Sequence, residues 1–182
     1  MHDLEEYLHL ALHASRNREP HACLGYLKEA LRIAPANAQA LYLLAIQHAD
    51  LGLIDRAIAE LTRVLALDPA LEVARLQLGL LLLDRARTTE ATEQFVALRA
   101  SADQALCALA AALIASINGE PDAARAKLRA GLAQAAANHG LRPLMQEVLV
   151  RFERRTAASA ASAAVERRIV VQDVLWSDDR WD

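Results

Sequence analysis

Glu5, His9 and His13 stand four residues apart, so a helix through them carries one carboxylate and two imidazoles along a single row. Histidines at i and i+4 can bridge a divalent transition metal. No further ligand pattern accompanies the row, and it reads as a solvated polar face. The two cysteines, Cys23 and Cys107, lie among apolar neighbours and have neither zinc spacing nor a disulfide framework. They read as small buried side chains. His48 interrupts an apolar stretch and reads as packed between helix pairs, while His21 and His139 fall at helix ends. Asp178, Asp179 and Asp182 form an acidic group that reads as solvated. The 6 glycines are scattered and form no phosphate-cradling loop, and Lys28 and Lys127 have no motif around them. No strand-to-helix turn is available to carry a Ser, Cys or Thr nucleophile. The expectation is a protein without catalysis, metal or cofactor.

The elements that position these groups are helices. Apolar residues make up 54% of the 182 residues and aromatics only 4%, so the apolar mass is chiefly Ala and Leu, both strong helix formers. With 6 Gly and 5 Pro there is little turn chemistry for a sheet protein. The formal net charge is −3, which argues against the basic face that nucleic acid requires. The N-terminal Met-His-Asp-Leu-Glu-Glu lacks the charged-then-apolar order of a signal peptide. The apolar run Leu78 to Leu83 is too short to span a bilayer. A cytoplasmic location without membrane insertion is the expectation.

The strongest signal is a repeat. Ile33-Ala34-Pro35 and Leu67-Asp68-Pro69 end helices, because proline cannot continue one and restrains the residue before it. Alignment on these prolines gives units 4–37 and 38–71. A third follows from Glu72 to about Gln104, one residue shorter, and a fourth from Ala105 to about Asn138. Each unit offers a set of small and apolar residues on a first helix and another on a second. These are Tyr7, Leu10, Ala11 with Cys23, Leu27, Ala30, and then Leu41, Leu44, Ala45 with Ala57, Leu61, Val64. The third unit gives Arg75, Leu78, Gly79 with Ala91, Phe95, Leu98. The fourth gives Ala108, Ala111, Ala112 with Ala124, Leu128, Gly131. Gly52 and Asp55 mark the turn of the second unit, and Gly119-Glu120-Pro121-Asp122 that of the fourth, with proline at a helix start where its missing donor costs nothing.

This pattern resembles the tetratricopeptide repeat family, which places an aromatic, Leu, Gly and Tyr on the first helix, Ala, Phe and Ala on the second, and Pro after it. The unit with Leu44-Ala45, Gly52, Ala57 and Asp68-Pro69 matches best. The third lacks the closing proline and the fourth is nearly all Ala where larger residues are usual. The resemblance implies an all-α, right-handed α-solenoid of antiparallel helix hairpins whose first helices line a groove. One version of the family grips peptide C-termini with a carboxylate clamp of Lys, Asn and Arg. The corresponding places here are Leu8, Leu12, Leu43, Val73 and Gln77, none of them a cation. An apolar trough of Leu8, Leu12, Tyr42, Leu43, Ile46, Val73, Leu76, Gln77 and Leu80 is expected instead.

After Asn138-His139-Gly140, which reads as a helix stop, Leu141, Leu144, Met145, Val148, Leu149 and Phe152 make one apolar stripe. Gln146, Glu147, Arg151, Arg154 and Arg155 lie off it. This predicts a capping helix that closes a solenoid domain spanning residues 1–155. The remaining 156–182 begin as an Ala/Ser linker and end in an apolar and acidic tail. Ile169, Val171, Val174, Leu175, Trp176 and Trp181 are expected to dock, since a free tail seldom carries so much apolar surface.

The function expected is a protein-binding adaptor or scaffold that holds an extended or helical apolar peptide segment in its groove. The alternative is a secretion-type chaperone shielding an apolar segment of an export substrate. A weaker one is a self-associating protein, a homo-oligomer whose tail fills a groove.

Overall fold

The structure is a computed structural model that describes residues 3–134 together with residues 142, 145, 146, 148–150 and 153. Eight helices are found among the described residues: α1 (Leu4–Arg16), α2 (Pro20–Ile33), α3 (Ala38–Asp50), α4 (Ile54–Leu67), α5 (Glu72–Asp84), α6 (Thr88–Leu98), α7 (Gln104–Ile117) and α8 (Pro121–Gln134). They pair in chain order as antiparallel hairpins. Two compact units result, one ending at Ser101 with three hairpins and one beginning at Ala102 with the fourth.

Side-chain oxygens stop several first helices from fraying. Asp3 caps α1 in a reciprocal box: its Oδ1 accepts from the Glu6 N–H at 2.8 Å, and the Asp3 N–H donates to Glu6 Oε2 at 3.0 Å. Asn37 accepts from Ala40 N at 2.8 Å to start α3, and Asp103 accepts from Ala105 N at 2.9 Å to start α7. Pro20 and Pro121 open the second helices α2 and α8, where no intrahelical donor is lost.

Each hairpin closes on a core made where the helices approach most closely. Ala11, Ala45 and Ala112 on first helices are fully buried, as are Ala57, Ala91 and Ala124 on second helices, with Cys23 nearly so. Leu27, Leu61, Phe95 and Leu128 fill the space beside them and are likewise fully buried. Of the positions selected in the sequence by the 34-residue step, Ala11, Leu41, Ala45, Leu78, Gly79 and Ala112 and every second-helix position are buried core, while Tyr7, Leu10, Leu44, Arg75, Ala108 and Ala111 are half-buried. Gly79 holds the tightest place. A Cβ there would lie 2.5 Å from Phe95 Cε1 and 2.8 Å from its Cζ. Phe95 is the largest buried side chain of the three-hairpin unit, and it sits against the smallest residue available.

Hairpins within the first unit stack through their own contacts. Leu43 and Leu44 of α3 pack on the first hairpin's core of Leu8, Ala11, Ala14, Cys23, Leu27 and Ala30. The Gln47 amide adds a hydrogen bond to Ser15 Oγ at 3.0 Å, and Arg85 pairs with Asp55 at 3.1 Å near the turns. In the second unit a Cβ on Gly131 would lie 2.6 Å from both Ala108 Cβ and Met145 Cε. Met145 is fully buried there and Val148 nearly so, while Arg142 and Gln146 are exposed. Leu141, Leu144 and Phe152 of the expected capping stripe lie outside the described residues.

The four turns share a feature that the sequence shows only in part. Arg18 (φ 58°), Gly52 (φ 76°), Ala86 (φ 57°) and Gly119 (φ 77°) are all left-handed, at the repeat interval. Glycine adopts this conformation freely; other L-residues pay about 1–2 kcal/mol for it.

Two predictions follow from the backbone. Ala86→Gly should raise stability by up to ~1 kcal/mol and Gly52→Ala should lower it by a similar amount, read as opposite shifts of the urea midpoint. Gly79→Ala should destabilise by up to ~2 kcal/mol, because overpacking against Phe95 outweighs the gain of ~1 kcal/mol in helix propensity. Adding Phe95→Leu should recover part of that loss in a double-mutant cycle; strict additivity of the two changes would contradict the contact.

Candidate functional site

The first helix of each hairpin has three faces: one toward its partner helix, one toward the neighbouring hairpin and one left over. The structure sorts the expected trough residues among them. Leu76 is 2% exposed and Leu8 6%, so both belong to the core and offer a guest almost no surface. Leu43 is half-buried and packs against the core of the preceding hairpin. Gln77 lies one repeat after Leu43 and is half-buried.

The remaining residues form a ladder. Leu12, Ile46 and Leu80 occupy the same position of α1, α3 and α5, and all three are half-buried. Tyr42 is also half-buried, one turn before Ile46, and burial pushes its phenol above the ordinary range. Val73 stands at the start of α5 with 43% of its surface exposed. These five side chains are apolar or amphipathic and retain surface after the hairpins have formed. Gly79 and Leu78 beside them do not.

The groups considered for chemistry are dispersed. His9 and His13 are exposed on α1, and the Asn17 side-chain amide donates to His13 Nε2 at 2.9 Å. His48, expected between hairpins, has its polar partner within its own hairpin. Its Nδ1–H donates to the Glu60 carboxylate of α4 at 2.8 Å, across its own hairpin, with both side chains largely covered. A polar residue in a core place has therefore found a polar partner, as buried polar groups must. Cys23 is buried, which pushes its thiol up, whereas Cys107 is only half-buried. Among the described residues no three His, Cys, Asp or Glu side chains converge to hold a metal ion. No described helix is long and apolar enough to cross a membrane. The tail residues Ile169, Val171, Val174, Leu175, Trp176 and Trp181 lie outside the described residues.

No protein-family model matches the sequence, and no curated protein matches it significantly. Solved structures do. MamA from Desulfovibrio magneticus RS-1, spanning its residue 41 to the end, is similar at 22% identity with a TM-score of 0.63, covering 97% of each chain. A tetratricopeptide repeat protein from Parabacteroides merdae gives a TM-score of 0.68 at 16% identity, over 92% of this chain and 64% of that one. PilF of Pseudomonas aeruginosa gives 0.65 at 20% identity, over 84% of this chain and 69% of that one. Sequence identities this low speak to architecture, and together with the 34-residue core pattern they establish that this chain has the tetratricopeptide-repeat fold.

Proposed function

We propose that this chain is a non-enzymatic protein-binding module that takes an apolar peptide segment along the free face of its first three hairpins. The observation that carries this reading is the half-buried ladder Leu12, Ile46 and Leu80, flanked by Tyr42 and Val73. Such residues keep apolar area that a guest chain can cover, at ~1.5–3 kcal/mol for each guest side chain fully buried. Three or four anchors give a specific complex after ordering costs. The fold supports the reading, because stacked hairpins present side chains in register along an extended surface. A helical guest would meet the ladder with residues at i, i+3 and i+7, an extended one with alternate residues.

The test is quantitative capture. The immobilised full chain retains partner polypeptides from a native extract; each is then titrated against wild type and against Ile46→Asp with Leu80→Asp. Far-UV circular dichroism should stay helical, because both positions already keep part of their surface in water. Affinity should fall at least tenfold, the equivalent of ~1.4 kcal/mol. Unchanged affinity with an intact helical spectrum would remove the ladder from the binding surface.

A further inference from the structure

The charges around the ladder narrow the chemistry of its guest, an inference that rests on the ladder reading above. On a helix, residues three, four and seven apart share a face. At those distances from Ile46 within α3, and from Leu80 within α5, the only charged residues are Asp50 and Asp84; the others are apolar, phenolic or amide. Both aspartates are exposed, one turn beyond their rung. Half-buried Ala49 and Leu83 carry the apolar surface of each helix toward them.

No described contact accounts for two anions here. Asp50 is the last residue of α3 and Asp84 the last of α5, where the unpaired backbone carbonyls favour a cation and oppose an anion. The same place in α1 holds Arg16, which follows that preference, and in α7 it holds Ile117. Among the described residues neither aspartate side chain has an ion pair or a hydrogen bond. The cations of the third turn are engaged elsewhere, Arg85 with Asp55 at 3.1 Å and Arg87 with Glu90 at 2.6 Å. The second and third rungs are therefore each bordered by a carboxylate that lacks a partner.

We infer that the guest of the ladder is an apolar polypeptide segment with basic side chains along the edge that crosses the ends of α3 and α5. Its apolar residues cover Ile46 and Leu80, and its Lys or Arg side chains reach Asp50 and Asp84 one turn away. Arg16 stands at the matching place of α1 and is exposed, so the basic run is confined to the second and third hairpins. Over α1 the same edge of the guest is uncharged or acidic. This order of charges gives the guest one direction along the ladder.

The probes are two labelled synthetic peptides of about 18 residues, ~27 Å long as helices. Both carry leucines at i, i+3 and i+7; one has Lys beside that stripe and the other Glu. Fluorescence anisotropy reads their affinity for the full chain. The Lys peptide should bind about fivefold tighter or more, since each exposed pair contributes modestly and two act together. Added salt should shrink the difference. Asp50→Asn with Asp84→Asn should remove most of the preference. Glu93→Gln with Glu120→Gln removes the same charge at exposed sites outside the first helices and should leave the preference in place. Arg16→Asp should tighten binding of the Lys peptide. Equal affinity for the two peptides would overturn the inference, and so would a preference lost equally in both double variants, which would assign it to net charge. In either case the ladder reading stands if Ile46→Ala with Leu80→Ala still weakens binding. If neither peptide binds wild type, the inference falls and the capture experiment decides the ladder by itself.

Discussion

The close approach of two helices at small side chains governs this molecule. Ala11, Ala45, Gly79 and Ala112 let a second helix come near enough for Leu27, Leu61, Phe95 and Leu128 to be enclosed completely. The volumes compensate within each hairpin: the bulkiest partner, Phe95, stands against the residue without a side chain. Interiors packed at this density tolerate neither a missing nor an added methyl group cheaply. Caps, turns and surface ion pairs adjust the ends of helices whose separation those contacts have already set.

The hairpin cores were legible because they depend on residue size at a fixed interval. The second-helix positions read from the repeat are all buried where the helices meet, even where the third unit runs one residue short, whereas Tyr7, Leu10, Leu44, Arg75, Ala108 and Ala111 of the first helices are half-buried. The free face was less legible. Leu78 to Leu83 is apolar throughout, so periodicity cannot separate a side chain that faces the partner helix from one that faces the neighbouring hairpin. Leu8 and Leu76 are buried in the core instead of lining the free face. The His48–Glu60 pair was invisible because it needs the register of α4 against α3, which only packing supplies.

The turns give a third lesson. Glycine at 52 and 119 announces a left-handed corner, but Arg18 and Ala86 adopt the same corner without any signal of their own. Topology has overruled local preference there. A short connection between two packed helices leaves few backbone solutions, and the hairpin contacts on either side hold the strained one in place.

The self-contained cores have a consequence for how recognition can change over generations. Each hairpin satisfies its own interior, so the outward residues at the Leu12, Ile46 and Leu80 positions are not needed to hold it shut. Substitutions in different hairpins, with no shared neighbours, should combine nearly independently. On the proposed reading, selection could rewrite the guest preference one rung at a time while the architecture stays fixed, and chains with few identical residues could keep a common shape.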